Sequence, residues 1–96
     1  METTVVIFRV DREGITFALF PELPADNDGI FCDCFQHVGQ HSAADYHGCI
    51  AYSRPATPDE YADLADELRQ RGYVLDVRQR AMPVLHDHRR QVAMAW

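Results

Sequence analysis

The stretch "TPDEYADLADELRQRG", residues 57–72, decides the fold of this 96-residue chain. Thr57 is a suitable helix N-cap, a proline follows it, and Glu60 stands three residues later, where it completes a capping box. Gly72 is the residue type that commonly follows the end of a helix. The sequence therefore predicts a helix over 58–71.

This predicted helix has one apolar face and one acidic face. Its apolar positions follow the spacing i, i+3, i+4, i+7, which places them on one side of a helix. They are Tyr61, Leu64, Ala65 and Leu68. The opposite side carries Asp59, Glu60, Asp63, Asp66 and Glu67. One such stripe is wide enough to cover one face of a sheet.

The segments around the helix have the patterns of strands. Residues 3–10 and 14–20 are rich in β-branched and aromatic residues and predict an antiparallel hairpin. Shorter strands are indicated at 30–36 and 49–53, and alternation over 73–80 predicts a last strand. We therefore predict a single α+β domain with a four- or five-stranded, mainly antiparallel sheet. The predicted order is β-β-(β)-β-α-β, with the one helix packed on one face of the sheet.

The C-terminal segment, residues 81–96, has no clear pattern and is interpreted as a docked or partly flexible tail. Residues 3–10 are apolar on both alternating faces, which is typical of a strand covered on both sides. Since one helix covers only one face, either the tail or a second subunit must cover the other. A homodimer through the uncovered sheet face or the tail is consistent with this pattern.

Composition restricts the class of function. The formal net charge is −6, with nine arginines, no lysine and fifteen carboxylates. The negative excess lies in residues 1–48, so the chain lacks the clustered basic face that nucleic-acid binding requires. No apolar run is long enough to cross a membrane, and neither a secretion signal nor a disulfide framework is evident. We expect a cytoplasmic protein without direct nucleic-acid or membrane binding.

Two cysteines and three histidines lie within "DCFQHVGQHSAADYHGC", residues 33–49. Zinc sites often take thiolate and imidazole ligands in two close pairs. If residues 47–49 are extended, Cys34, His37, His47 and Cys49 supply such pairs, and His41 or Cys32 can replace a member. The other interpretation treats the cysteines as small core residues and the histidines as partners of backbone groups, with no cofactor.

The same stretch is otherwise a long excursion between strands, and long loops in small domains are often functional. His37, His41, Asp45 and Tyr46 are accordingly predicted contact residues. Cys49 with a histidine and Asp45 also permits a third hypothesis, a small Cys/His enzyme. No phosphate-binding loop or recognised catalytic motif accompanies it, and a non-enzymatic role is favoured.

An acidic surface is the preferred site of interaction. The carboxylates of the helix include like-charged pairs four residues apart, which are mildly repulsive. Together with Glu22, Asp26 and Asp28 they predict an extended negative surface that attracts a basic protein partner.

Three phrases carry a resemblance to a known group: "ALFPELPAD" at 18–26, "HVGQHSAADY" at 37–46 and "RPATPDEYADLADELRQRGYVLDVRQR" at 54–80. They resemble the "ALFPE-PAD", "HVGQHG-ADY" and "PAT-EY-DL" phrases of small bacterial proteins that phages and mobile elements often encode, a group without an established activity. Ser42 stands where those proteins usually have glycine. The resemblance implies a regulator or inhibitor of host machinery. Combined with the acidic surface, it favours an anti-defence inhibitor that binds a basic, nucleic-acid-handling host protein.

Overall fold

The computed structural model describes residues 3–25, 29, 31–36, 40–80 and 83–95, which form six strands and three helices. The strands are β1 (Thr4–Asp11), β2 (Thr16–Pro24), β3 (Phe31–Gln36), β4 (Gln40–Asp45), β5 (Ser53–Pro55) and β6 (Leu75–Val77). The helices are α1 (Tyr46–Ala51), α2 (Pro58–Gln70) and α3 (Pro83–Met94).

Five strands form a curled antiparallel sheet in the order β4-β3-β2-β1-β5. The hairpin of β1 and β2 is its centre, with Ile7 opposite Leu19. One edge of β1 is shared, because β5 pairs antiparallel with its C-terminal half and β6 pairs parallel with Thr4–Val6. The predicted α+β class and the antiparallel sheet are confirmed.

The predicted central helix is α2, which ends one residue earlier than expected. The Thr57 hydroxyl accepts a hydrogen bond from the Glu60 backbone N–H, and the Glu60 carboxylate accepts one from the Thr57 N–H. Leu64, Ala65 and Leu68 are buried against Val6, Phe8, Val10, Ala18, Phe20 and Phe35 of the sheet. The capping box and the apolar stripe thus perform the roles that the sequence assigns to them.

The opposite face of the sheet is covered by α1 and α3. Tyr46 of α1 and Leu85 of α3 are buried in a second core with Val5, Ile7, Phe17, Leu19, Cys32, Cys34 and Ala44. Both faces of β1 are therefore covered by helices of the same chain. Because the interior has two layers of side chains, each face of β1 contributes to a separate core.

The expectation of a single helix is wrong, because the described residues form three. The residues predicted as a strand at 49–53 complete α1 and then form only the start of β5. The segment interpreted as a loop contains β4, whose Ala44 pairs with Cys32 of β3. Serine and alanine have weak strand preferences, so β4 exists because β3 offers it an edge and not because of a local signal.

The helix α3 was missed for a different reason. Its inward positions include Leu85 and, one turn later, Arg89, and both are buried. An arginine at a core position removes the apolar periodicity by which a helix is recognised in a sequence. The last predicted strand is likewise shorter than expected, since only Leu75–Val77 pairs with β1.

Within the described part of the chain, the helices lack the combination of length and apolar character that crossing a membrane requires.

Candidate functional site

The exposed side of α2 carries an acidic stripe, which we define as Asp59, Asp63 and Asp66. All three are exposed and follow the spacing i, i+4, i+7 on the side of the helix away from the sheet. Asp66 Oδ1 lies 3.5 Å from Arg69 Nη1. Among the described residues, Asp59 and Asp63 have no cationic group within 4.0 Å.

The other two carboxylates of α2 are engaged within the molecule. Glu60 forms a bidentate pair with Arg54, with N–O distances of 2.7 and 2.6 Å. The hydrogen bond from Arg54 and the bond from the Thr57 N–H lower the pKa of Glu60 to about 2. Glu67 lies 3.7 Å from Arg71. Both carboxylates are therefore already paired with an arginine of the same chain.

Of the three carboxylates predicted to extend this surface, only Glu22 belongs to the described residues, and it lies on the other side of the sheet from the stripe. Glu22 contacts His88 of α3, the helix on the opposite face of the sheet from α2. Asp26 and Asp28 lie outside the described residues. The acidic surface that the structure supports is therefore the stripe of α2.

Arg9 is buried although it lies in the middle of an apolar strand. Its guanidinium donates to Ser53 Oγ at 2.8 Å, to the Ser53 carbonyl at 2.7 Å and to the Ile50 carbonyl at 3.1 Å. Burial lowers the pKa of Arg9. The residue connects β1 to the end of α1 and to β5.

Arg89 is completely buried and connects α3 to the sheet. Its guanidinium donates to the carbonyls of Gly29 and Pro21, each at 2.8 Å, and contacts His86 Nδ1. The same group lies over the Tyr46 ring, 5.3 Å from its centroid. Carbonyl oxygens and an aromatic face thus surround this charge.

The burial of Arg9 and Arg89 changes the net charge of the exposed surface. Among the described residues they are the only buried charged side chains, and none of the twelve described carboxylates is buried. The nine arginines and twelve carboxylates of the described residues carry a net charge of −3, whereas the seven arginines outside the core and the same twelve carboxylates carry −5. The described exterior is consequently more acidic than the composition of the same residues indicates.

Of the four predicted zinc ligands, Cys34 and Cys49 line one pocket in the described structure, and His47 is not among the residues that line it. Cys34 lies in β3, whereas His47 and Cys49 lie in α1. Positions i and i+2 of a helix are about 200° apart, so the shared face expected for an extended segment is absent. The His47 ring instead packs on His86, with ring centroids 4.5 Å apart.

No group of three or more His, Cys, Asp or Glu side chains suited to a metal ion occurs in the described residues. His37 lies outside them, and His41 is described only through its backbone, which pairs with Phe35. Burial raises the pKa of Cys32 to about 12. Burial, then Cys34 and Asp45, also raise the pKa of Cys49, the opposite of what an activated thiolate requires.

Two further predicted contact residues occupy the start of α1. Tyr46 is 2% exposed and belongs to the second core, so its ring is not available at the surface. Asp45 is the exposed N-cap residue, and its side chain makes no capping hydrogen bond. The carboxylate lies over Gly48, where an added Cβ would stand 2.7 Å from Oδ2.

A pocket of about 350 Å³ lies between α1 and the sheet, and sequence reasoning missed it. The buried residues Phe17, Cys34 and Ala44 form its apolar floor. The exposed residues Gln36, Asp45 and Tyr52 form its rim. These side chains come from three strands and from Tyr52, which follows α1. A motif within one short stretch of sequence could therefore not predict the pocket.

Comparison of the chain with known protein families, with curated proteins and with solved structures finds no match.

Proposed function

We propose that this chain is a non-enzymatic interaction domain whose acidic exterior binds a basic segment of another protein. The observation that carries this proposal is the burial of Arg9 and Arg89, which leaves the described carboxylates in excess at the surface. The acidic stripe concentrates part of that excess on one helix face that no other described element covers. Surface carboxylates of this kind steer a cationic partner and accelerate its association at low salt.

The resemblance to proteins of phages and mobile elements supports a more specific form of the proposal. A regulator or inhibitor of the anti-defence type would occupy the basic groove with which a host protein handles nucleic acid. An acidic helix face is a suitable mimic of phosphate charge for such a groove.

The test is the binding of a fluorescent nonapeptide of arginine and lysine, followed by anisotropy at about 50 and about 300 mM salt. We expect binding that weakens at least about ten-fold between these salt concentrations. A double variant, Asp59→Asn with Asp63→Asn, should lose a further factor of about five at low salt.

The matched control is the double variant Asp87→Asn with Glu22→Gln, which removes the same charge from α3 and from the β2 residue that contacts α3, on the opposite face of the sheet. It should bind within about two-fold of the natural chain, because the charge it removes is distant from the stripe. Equal losses in the two double variants, or binding insensitive to salt, would contradict the proposal.

The zinc hypothesis is separated from this one by a chelator. A structural zinc site contributes directly to folding, so its removal lowers the melting temperature by several degrees. Under our proposal the melting temperature is unchanged by EDTA, as calorimetry can measure, and elemental analysis of untagged protein finds no stoichiometric zinc.

A further inference from the structure

The pocket under α1 has the chemistry of an anchor site. Its floor consists of the apolar residues Phe17, Cys34 and Ala44, which are buried, with exposed fractions of 4%, 5% and 7%. Its volume of about 350 Å³ lies at the small end of the range of roughly 300–1,000 Å³ for ligand sites. Interfaces between proteins commonly place one apolar side chain of the partner in a pocket of this kind.

A frame of hydrogen bonds joins the elements that border the pocket. The buried Arg9 donates to Ser53 Oγ, and Ser53 Oγ in turn donates to the Cys49 carbonyl at 2.5 Å. Arg9 also donates to the Ile50 carbonyl, so one guanidinium joins the end of α1 and the start of β5 to β1. A site fixed in this way loses little conformational entropy when it is filled.

The rim carries negative charge and an aromatic ring. Asp45 is exposed and, at the opposite end of α1, Asp11 also lines the pocket. Tyr52 is 65% exposed, and Arg12 already occupies one side of its ring, 5.1 Å from the centroid. A cation entering at the Asp45 end would meet a carboxylate without approaching Arg12.

We infer that this pocket receives an apolar side chain, such as leucine or methionine, that is flanked by arginine or lysine in the basic segment of the partner. The apolar side chain enters the floor and the flanking cation meets Asp45 at the rim. This inference rests on the proposed function and adds to it a second, sequence-selective point of contact, on the face of the sheet opposite the acidic stripe. The expected partner is therefore a basic segment with an apolar residue in its centre.

The experiment compares three pentapeptides: four basic residues around a central leucine, the same with a central serine, and four acidic residues around a leucine. Chemical-shift perturbation in the natural protein reports affinity and position. The basic leucine peptide should bind about ten-fold tighter than the basic serine peptide, because burial of one apolar side chain has about this effect. Its perturbations should include Cys34, Ala44 and Cys49.

Two variants test the floor and the rim separately. Cys49→Phe fills the pocket and should reduce the preference for leucine over serine to nearly one. Asp45→Asn keeps the size of a side chain that makes no capping hydrogen bond, and it should weaken the basic leucine peptide by about three-fold. Ala62→Phe, an equally large addition on the exposed side of α2, should leave the preference unchanged.

Alkylation of Cys49 tests occupation of the pocket in the natural chain, without any variant. Cys49 is the half-buried thiol of the pocket, whereas Cys32 and Cys34 are buried, so iodoacetamide at pH about 8.5 should alkylate Cys49 first. The basic leucine peptide should slow that reaction several-fold at a concentration where the serine peptide does not. Unequal protection identifies the pocket as the site of contact.

The outcomes separate the two proposals. Equal binding of the two basic peptides, without protection of Cys49, overturns the anchor site and leaves the acidic interaction surface standing. Equal binding of the acidic and basic leucine peptides overturns the role of the rim carboxylate. Failure of both basic peptides and of the longer basic nonapeptide overturns the proposed function itself.

Discussion

Two arginines occupy places in this molecule that apolar residues usually fill. Arg89 of α3 and Arg9 of β1 are both buried, and both are surrounded by backbone carbonyl oxygens. A buried guanidinium is tolerated only where its N–H groups are hydrogen-bonded, because an unsatisfied buried charge is very costly. Each arginine therefore joins elements that are far apart in the chain.

Replacing Arg89 by methionine keeps the length of the side chain but removes its donors. The carbonyls of Pro21 and Gly29 would lose their partner in a region without solvent, so we expect a loss of about 3 kcal/mol in unfolding free energy. Urea denaturation measures this. Arg90→Met, on the exposed side of the same helix, should change stability by less than about 0.5 kcal/mol. Similar losses in both variants would show that Arg89 is not the connection described.

The position of α3 depends on Arg89 and also on the close approach of the α3 backbone to Gly29. Gly29 has φ of +71°, and a Cβ there would stand 2.8 Å from the Cα of Arg90 and 2.9 Å from the Cβ of Ala93. Neither neighbour can move without moving the helix. A glycine at this position is therefore what allows α3 to pack against the sheet.

A comparison of Gly29→Ala with Gly14→Ala separates the loss of stability caused by this close approach from the loss caused by backbone strain. Gly14 also has a positive φ, +84°, but a Cβ there meets nothing within 4 Å. We expect Gly14→Ala to cost about 1 kcal/mol and Gly29→Ala about 1–3 kcal/mol more, from steric overlap with α3. Thermal unfolding of the two variants provides the comparison. Equal losses would mean that α3 does not approach Gly29 this closely.

The pairing of Glu60 at the N-terminus of α2 predicts that the stability of the chain depends on pH. Because the pKa of Glu60 is about 2 in the folded chain and about 4.5 ordinarily, its contribution to stability is complete above pH 4.5. That contribution is lost as the pH falls toward 2. Urea midpoints measured between pH 5 and pH 2.5 should fall less steeply in Glu60→Gln and in Arg54→Gln than in the natural chain. A Glu60→Gln curve parallel to the natural one would contradict this assignment.

For the molecule as a whole, the decisive feature is that the sheet is covered on both faces by its own chain. Leu85 and Arg89 of α3 cover the second core, which includes Ile7 and Leu19 of the central hairpin. The covering of the second face therefore requires no second subunit. Without α3, only α1 would remain over this core, and the side chains that α3 covers would be exposed to water.

A chain ending at residue 80 tests the contribution of α3. Loss of the helix exposes the apolar face of β2 and the backbone carbonyl of Pro21 that Arg89 satisfies, so we expect loss of cooperative unfolding and strong binding of a hydrophobic dye. Circular dichroism and dye fluorescence measure these properties. A shortened chain that unfolds cooperatively with an unchanged melting temperature would show that α3 contributes nothing to the fold.

The sequence by itself determined the elements that carry their own signals. The helix α2 was predictable because its cap, its apolar stripe and its terminal glycine are all local, and the central hairpin was predictable from its β-branched residues and turn. The acidic stripe could also be located, since helical spacing places Asp59, Asp63 and Asp66 on one face.

Only the tertiary structure decided the rest. The strand β4 depends on the edge of β3, α3 carries an arginine where periodicity requires an apolar residue, and α1 replaces an expected strand. The pocket combines side chains from separate strands with Tyr52, which follows α1, and the separation of His47 from Cys49 follows from a helical turn. The physical reason is common to all of these features: each is stabilised by contacts between residues distant in the chain, and such contacts leave no periodic trace in a local stretch of sequence.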